Sequence, residues 1–237
     1  MLDMPVSIII PTLNAQATLG RCLGALRQFF NNAQIIVVDG GSDDNTVAVA
    51  QEYSAQVVHS PKGRGSQCNA GARSARHGLL LFLHADTIIS QHAAQVLQPF
   101  LLDEQKQVAT FRLAFDQPHW LLQYYSFMTR FDSIFTRFGD QGIVVKKDFF
   151  DTLGGFPDWP LFEDVHFLRL ARKKAKIHSL PAHVITSARR FQKNGILGQQ
   201  LFNFTLIARY LLGQSPVALA QRYQDFSRRR KCEEDRS

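Results

Sequence analysis

Cysteine and long apolar runs are both scarce in this chain of 237 residues. The three cysteines, Cys22, Cys68 and Cys232, are scattered without a C-x-x-C pair, which gives no support to a disulfide framework or a zinc site and favours a reducing compartment. The most apolar stretch, LFNFTLIARYLLG, is interrupted by Arg209 and is shorter than the roughly 20 residues of a membrane helix. The first residues, MLDMPVSIII, lack the basic residues of a signal peptide, so we expect a cytoplasmic protein.

Acidic residues are outnumbered, with 20 Asp and Glu against 27 Lys and Arg and a net charge of +7. The excess is concentrated in the last third, in RKKAK at 172–176, ARR at 188–190 and SRRRK at 227–231. Such clusters favour an anionic partner, which would be a diphosphate, a lipid headgroup or a nucleic acid. The alternative for each cluster is a solvated helix face or a frayed terminus.

The first 86 residues alternate between apolar runs and amphipathic segments with helical spacing. The apolar runs have the composition of buried strands and occupy 6–11, 34–39, 56–60 and 79–83. This alternation predicts an α/β fold with a mostly parallel sheet and helices on both faces. Two more strands are predicted at 107–115 and 142–146, and helical patterns near the end predict a C-terminal extension on the same domain.

The loop after the first strand, PTLNAQATLG, has no phosphate-binding pattern of a familiar kind. It contains neither the G-x-G-x-x-G of dinucleotide-binding proteins, nor the G-x-x-x-x-G-K of P-loop proteins, nor the basic, glycine-rich loop of sugar-nucleotide pyrophosphorylases. Ligands of parallel sheets bind beyond the carboxyl ends of the strands. Polar residues and glycines stand at those ends, at 11–14, 39–44, 60–64 and 84–87, so we expect the site there.

The second of these loops, VVDGGSDDNT, places Asp39 at a strand end before two glycines. An acid at that position can accept hydrogen bonds from a base N–H or a ribose hydroxyl, while glycines let the backbone approach the ligand. We therefore predict that Asp39 binds the ligand and that Gly41 lies close to it. For Asp43 and Asp44 we predict capping of the next helix.

Five segments, in order, resemble family 2 glycosyltransferases with a GT-A fold: VSIIIPTLN, IIVVDGGSDDNT, GRGSQCNAGARSARHGLLLFLHADT, GGFPDWPLFED and SARRF. They are most similar to a small subgroup that includes arsenosugar-biosynthesis and staphyloxanthin-type enzymes. The resemblance implies an inverting transfer of a sugar from a nucleotide-diphosphate sugar, with UDP-sugars favoured, to a hydroxyl acceptor. The Gln-x-x-Arg-Trp motif of processive relatives is absent, which favours a single, non-processive transfer. The resemblance also implies a nucleotide-sugar half at 1–115, an acceptor half at 116–190, and C-terminal helices with a basic tail at 191–237.

The same resemblance implies roles for individual residues around the donor. Pro11 and Asn14 would border the nucleotide pocket, and Asp39 would contact the base. Arg64 would approach the nucleotide, while Asn69 and Gly71 would shape the helix beside it. The residues assigned to the donor are thus Pro11, Asn14, Asp39, Gly41, Arg64, Asn69 and His84.

Asp86 matches the metal-binding acid of the family's D-x-D element, which here reads His-x-Asp because His84 stands in the first position. A divalent cation on a diphosphate takes most of its ligands from phosphate oxygens and water, so one carboxylate suffices. We therefore predict Asp86 as a ligand of Mn²⁺ or Mg²⁺. His84 would donate to a sugar or phosphate oxygen, with metal ligation or a purely structural role as alternatives. His183 is either a third ligand or a core histidine.

The segment FED at 162–164 provides the candidate base. By resemblance, Asp164 takes the proton of the acceptor hydroxyl with Glu163 beside it, and neighbouring acids raise each other's proton affinity. The alternative is that both acids stabilise a helix N-terminus. Arg189 or Arg190 would neutralise the leaving diphosphate, and Asp140 would bond a sugar hydroxyl or cap its loop.

The aromatic segment 117–138 and the C-terminal helices are expected mainly in the core. The alternatives are an apolar groove for the acceptor and a patch that contacts an anionic membrane, so the acceptor is a small molecule or a lipid. Nucleic acid is not expected as a partner. Two other functions stay open: a catalytically reduced protein that binds a nucleotide-sugar or lipid, favoured by the missing first acid of D-x-D, and a nucleotidyltransferase on a related sheet.

Overall fold

A mixed sheet covered by helices accounts for most of the chain. The computed structural model describes residues 4–134, 136–188 and 196–234. The strands are β1 (Val6–Thr12), β2 (Gln34–Asp39), β3 (Gln56–His59), β4 (Leu79–Phe82), β5 (Ile88–Ile89), β6 (Val108–Phe115), β7 (Ile143–Lys146) and β8 (Ile177–Thr186). The helices are α1 (Gln16–Phe29), α2 (Thr46–Glu52), α3 (Arg64–Ser74), α4 (Gln91–Gln95), α5 (Leu97–Leu102), α6 (Trp120–Met128), α7 (Lys147–Leu153), α8 (Glu163–Lys174), α9 (Ile196–Leu211) and α10 (Pro216–Glu234).

The strands are hydrogen-bonded in the order β3-β2-β1-β4-β7-β6-β8-β5. β1 pairs in parallel with β2 and β4, and β2 with β3, as strands joined by crossover helices do. β7 is antiparallel to β4 and β6, while β6 and β8 are parallel and β5 is antiparallel to β8. The carboxyl ends of β1, β2, β4 and β6 therefore lie at one edge of the sheet, which is where a ligand site is expected.

Two apolar layers hold the helices against the sheet. Ile8 and Ile10 of β1 pack in the layer that contains Leu23 of α1, whereas Ile9 packs in the opposite layer with Phe167 of α8. Successive strand residues point to opposite faces. Because β1 is covered on both faces, it needs an apolar residue at nearly every position, which explains the unbroken apolar run in the sequence.

The predicted strands and helices agree with the structure except at some boundaries. β1 continues through Pro11 to Thr12, and α1 begins at Gln16. The strands expected at 107–115 and 142–146 are confirmed as β6 and β7. The sequence patterns did not predict β5, β8, α4 or α5.

The aromatic segment differs from the prediction that it lies mainly in the core. Leu122 of α6 is buried, but large aromatic residues of the same segment are exposed: Trp120, Tyr124, Phe127 and Phe131. Apolar side chains are common on protein surfaces, so apolar composition alone did not decide their position. The prediction of a core location is therefore wrong for these four residues.

The C-terminal helices pack on α8. Tyr210 of α9 and Leu219 of α10 belong to an apolar cluster with Phe162 and Val165. The Ser215 hydroxyl accepts the Ala218 N–H at 3.2 Å and so caps α10, as its position before a proline suggests. Within the described ranges, no helix is long and apolar enough to cross a membrane.

Candidate active site

An open pocket of about 300 Å³ lies at the carboxyl ends of β1 and β4. Strand ends, the start of α3, the 3₁₀ turn Gly139–Gln141 and the start of α8 contribute its lining residues. These residues are Pro11, Arg64, Cys68, Phe82, Leu83, His84, Gly139, Ile143, Phe156, Glu163 and Asp164. Apolar walls with a few convergent polar groups are typical of ligand pockets. The pocket brings Pro11, Arg64 and His84 together with both acids of the FED segment.

Asp164 has a half-buried carboxylate with a fixed orientation. The Gly139 N–H donates to its Oδ2 at 2.6 Å, and the Val165 N–H donates to its Oδ1 at 2.8 Å. Each carboxylate oxygen keeps a second lone-pair direction for a further donor. A Cβ on Gly139 would lie 2.9 Å from Asp164 Oδ2, so a glycine at this position lets the turn approach the acid closely. The carboxylate can therefore accept a ligand hydroxyl in the pocket.

Glu163, in contrast, is buried and paired. Its Oε1 lies 3.2 Å from Arg64 Nη1, in an ion pair that connects α8 to the start of α3. Burial raises the pKa of Glu163 above its ordinary value, and Asp164 adds to the increase, whereas Arg64 opposes it. Glu163 thereby holds the Arg64 guanidinium at the pocket wall, and the two neighbouring acids have different environments.

Cys68 lines the same pocket as an inert thiol. Burial raises the pKa of Cys68 far above its ordinary value, and Glu163 adds to the increase, whereas Arg64 opposes it. The thiolate is the reactive form of cysteine, and the Cys68 thiol stays protonated at neutral pH. Burial therefore disfavours nucleophilic chemistry at Cys68.

Asp39 holds the loop that follows β2. Its Oδ2 accepts the N–H groups of Gly41 and Ser42, both at 3.0 Å, and its Oδ1 accepts the Ser42 hydroxyl at 2.5 Å. Burial disfavours the charged form, but these hydrogen bonds outweigh it and lower the pKa of Asp39 below its ordinary value. Gly41 has a φ of +90°, which glycine adopts without strain. The contact of Asp39 with a nucleotide base stays a prediction.

Asn14 connects this loop to the loop that follows β1. Its backbone N–H donates to the Ser42 hydroxyl at 2.9 Å, and its Oδ1 accepts the Asp43 N–H at 3.0 Å. Asp44 Oδ1 accepts the Thr46 N–H at 2.9 Å at the start of α2, but the N-cap residue is Asn45 and has no side-chain cap, so the N-capping predicted for Asp43 and Asp44 is wrong. The two strand-end loops are thus joined through side chains and form one rim of the site.

Asn69 and Gly71 determine how closely α3 packs. Asn69 Nδ2 donates to the Phe156 carbonyl at 2.8 Å, and Asn69 Oδ1 accepts the Phe156 N–H at 2.9 Å. Gly71 lies so close to β1 that a Cβ would be 2.4 Å from Ile9 Cγ2. Asn69 therefore shapes the pocket wall at Phe156, and a direct contact between Asn69 and a nucleotide stays a prediction.

His84 and Asp86 line different pockets. Asp86 faces a second open pocket of about 340 Å³, whose lining residues are Thr18, Arg21, Asp86, Ile88, Asp116, Ile185, Thr186 and Ser187. Within residues 4–134, 136–188 and 196–234, no group of three or more His, Cys, Asp or Glu side chains could hold a metal ion. The metal role of Asp86 and the role of His84 at the donor stay predictions.

Asp116 is a candidate that the sequence interpretation missed. It lines the second pocket with Asp86 and Arg21, and it follows the carboxyl end of β6. The rule that identified Asp86 at the end of β4 applies equally to an acid at the end of β6. The signal was therefore present in the sequence, at the end of a strand that was itself predicted.

Tyr125 of α6 was missed as well. Burial, followed by the carboxylates of Asp140 and Asp164, raises the pKa of Tyr125 well above its ordinary value. No sequence pattern could have identified it, because its place depends on how α6 packs against β6.

Two further predictions concern the later part of the chain. Arg189 and Arg190 lie outside the described residues. His183 is half-buried on β8, opposite Arg112 of β6. Burial lowers the pKa of His183 below its ordinary value, and Arg112 and Arg130 lower it further. Its proposed role as a metal ligand stays untested.

The sequence profile described as Glycosyl transferase family 2 matches residues 7–177. The chain belongs to this family. A PGL/p-HBAD biosynthesis glycosyltransferase of Mycobacterium bovis is 38% identical over 88 residues, which are 34% of this chain and 34% of that protein. The chain thus matches about a third of the length of this curated relative.

Solved structures with bound nucleotide-sugars have the same fold. S. aureus TarS 1–349 in complex with UDP-GlcNAc superposes with a TM-score of 0.61 and 20% identity, covering 78% of this chain and 58% of that chain. The mannosyltransferase PcManGT of Pyrobaculum calidifontis, in complex with GDP-Man and Mn²⁺, superposes with a TM-score of 0.63 and 16% identity, covering 94% of this chain and 70% of that chain. At this identity the likeness concerns the fold, and it confirms the GT-A fold class expected from the sequence.

Proposed function

We propose that this chain transfers a sugar from a nucleotide-diphosphate sugar to a hydroxyl acceptor, with inversion at the anomeric carbon and Asp164 as the base. The observation that supports this most directly is the Asp164 carboxylate, oriented by two N–H donors in the pocket that Arg64 and His84 also line. Family membership supports the reaction class. The UDP-GlcNAc and GDP-Man complexes of TarS and PcManGT support the donor class, with a UDP-sugar favoured.

The proposed reaction is a single displacement. The acceptor hydroxyl donates a hydrogen bond to Asp164, which takes the proton as the acceptor oxygen attacks the anomeric carbon opposite the diphosphate. A bond from this carbon to the acceptor oxygen forms, and its bond to the diphosphate breaks. The nucleoside diphosphate leaves with the electron pair. The Arg64 cation, held by Glu163, and an N–H of His84 would stabilise the negative charge that develops on it.

The proposal includes a divalent cation, Mn²⁺ or Mg²⁺. Asp86 offers one carboxylate and Asp116 lines the same pocket, which is a small set of hard oxygen donors. Such a set fits a cation that arrives with the donor, because the diphosphate and water supply the remaining oxygen ligands. It does not fit a tightly held structural ion, which needs more protein ligands. When bound, the cation would neutralise charge on the leaving diphosphate.

The test is the Asp164→Asn variant, which keeps the size of the side chain but cannot take a proton. With Mn²⁺ and a panel of UDP- and GDP-sugars and acceptors, we expect kcat/KM to fall at least about 100-fold. Affinity for UDP, measured by calorimetry in the presence of Mn²⁺, should stay within about threefold of the parent, because Asp164 acts on the acceptor. Asp151→Asn, which changes an exposed acid of α7, is the matched control and should retain parental activity.

Each alternative function predicts a different result in this experiment. Equal turnover by Asp164→Asn and the parent would contradict the role of Asp164 as base. Binding of a nucleotide-sugar without transfer or hydrolysis would indicate a catalytically reduced binding protein. Release of pyrophosphate from a nucleoside triphosphate and a sugar phosphate would indicate a nucleotidyltransferase.

A further inference from the structure

α6 is anchored to the sheet by one face only. Leu122 is buried, and Thr129, at the end of the helix, accepts the Leu113 N–H of β6 at 3.1 Å. The Ser126 hydroxyl donates to the Leu113 carbonyl, and Tyr125 packs against Phe115 with ring centroids 5.9 Å apart. These contacts fix the rotation of α6 about its axis. The opposite face is therefore held outward by the fold.

That opposite face carries three aromatic side chains, and a fourth follows the end of the helix. Trp120, Tyr124 and Phe127 are spaced by four and three residues, which places them on one face of α6, and Phe131 follows in the turn after its end. Their exposed fractions are 70%, 61%, 48% and 53%. The rings of Phe127 and Phe131 contact each other at a centroid distance of 5.8 Å, so the stripe is continuous at this end. We call these four residues the aromatic stripe.

Positive charge borders the aromatic stripe. The Arg130 guanidinium lies over the Phe127 ring, 5.1 Å from its centroid. Within the described part of the chain, Arg130 forms no ion pair, and Asp132 is already paired with Arg137 and Arg172. The stripe thus combines Trp and Tyr rings with a cation whose charge is not neutralised by a bonded acid.

We propose that α6 is an interfacial helix that docks this chain on an anionic membrane surface through the aromatic stripe and Arg130. Trp and Tyr favour the headgroup level of a bilayer because their rings are amphipathic, and a cation beside them binds anionic headgroups. With about 200 Å² per aromatic side chain, roughly 450 Å² of the stripe faces water. This area is below the roughly 800 Å² per partner of a stable protein interface, which argues against a second copy as the occupant.

The proposal is tested by flotation of the full chain with vesicles of phosphatidylcholine alone and with about one third phosphatidylglycerol. We expect the parent to float with the anionic vesicles. The double variant Trp120→Ser/Phe127→Ser removes two exposed rings without touching the buried face, and its partition coefficient should fall at least about tenfold. Arg130→Gln should reduce binding several-fold on anionic vesicles and leave binding to neutral vesicles unchanged. None of these readouts requires transfer activity.

Controls distinguish docking by α6 from general adhesion of a basic protein. Leu102→Ser changes an equally exposed apolar residue, 74% exposed at the end of α5 before β6 begins, and should float like the parent. Flotation of the double variant at the parental level would overturn the proposal, because the basic C-terminal segment would then suffice. Loss of flotation in Leu201→Ser alone would also overturn it and assign the contact to α9. A concentration-dependent dimer without flotation, abolished in the double variant, would overturn it in favour of a second copy.

Discussion

Asp39 illustrates how one side chain can organise a loop. It uses both carboxylate oxygens for hydrogen bonds to Gly41 and Ser42, and Ser42 in turn accepts the N–H of Asn14. The charged form of Asp39 therefore maintains the rim of the site before any ligand is present. Glu163 has the opposite character, because its burial favours the protonated form and the Arg64 guanidinium opposes protonation.

At the residue scale we expect Asp39→Asn to lower the free energy of unfolding by about 1 kcal/mol at pH 7, because charge-assisted hydrogen bonds become neutral ones. The folded-state pKa of Asp39 lies below the unfolded-state value. Its stabilisation is therefore present above about pH 4 and is lost as the pH falls through the folded-state pKa. Thermal unfolding measured between pH 7 and pH 3 should show that the difference in stability between variant and parent decreases as the pH falls. Asp43→Asn, in the same loop but exposed, is the control, and an equal effect there would contradict the assignment.

At the scale of helices and strands, the close packing of α3 against the sheet requires a small residue at Gly71. The helix packs against β1 and β2 at Gly71 and joins the pocket wall through Asn69 and Phe156. It also begins with Arg64, so the distance of α3 from the sheet sets the position of the guanidinium in the pocket. A change in helix packing here is transmitted directly to the site.

At this scale we expect Gly71→Ala to destabilise the protein by about 1–3 kcal/mol. The new Cβ would lie 2.4 Å from Ile9 Cγ2 and 3.0 Å from Val38 Cγ2, so the helix must move away from the sheet. Gly78→Ala is the matched control, because a Cβ there meets nothing within 4 Å; its effect should stay within about 0.5 kcal/mol. Urea unfolding measures both, and equal midpoints for the two variants would refute this account of the packing.

At the scale of the whole molecule, β7 joins the two predicted halves of the chain. It follows residue 115, where the acceptor half was expected to begin, and it pairs with β4 and β6, which precede that residue. The two halves therefore contribute to one sheet. The division at residue 115 stays a prediction about function and does not separate two hydrogen-bonded units.

We consequently expect a single cooperative unfolding transition. The fluorescence of Trp159, which packs against His166 and Tyr210, reports on the second half, whereas far-UV circular dichroism reports on all helices and strands. In urea the two signals should give the same midpoint, because loss of β7 opens the centre of the sheet. Two separated midpoints would mean that the halves unfold independently.

The parts of the fold that depend on local pattern could be predicted from the sequence, and the parts that depend on packing could not. The continuous apolar runs of β1, β2 and β4 identified buried strands, and the strand-end rule located Asp39 and Asp86. The antiparallel insertion of β7 depends on non-local pairing. Pro181 interrupts the alternating pattern of β8, and β5 has two residues, too few for a periodic signal.

In the candidate site, too, local sequence predicted some features, whereas others depend on packing. The motif placed Glu163 and Asp164 at a helix start, and the structure confirms that position. The two acids differ in burial, and Glu163 pairs with Arg64, because of residues that are distant in the sequence. Motif spacing could therefore not predict these features, nor the position of Tyr125. For the aromatic stripe, apolar composition suggested a core, although the spacing of four and three residues within α6 equally fits one exposed helix face.

The central position of β7 has a consequence for synthesis of the chain on the ribosome. β4 and β6 are made before β7, so each leaves an unpaired strand edge until Ile143 to Lys146 emerge. At roughly 10 residues per second, β4 waits for several seconds. An open edge is a template for pairing with other chains. The nascent chain is therefore most exposed to aggregation during this interval. A pause in translation just before β7 would lengthen the time for which the edges of β4 and β6 stay unpaired.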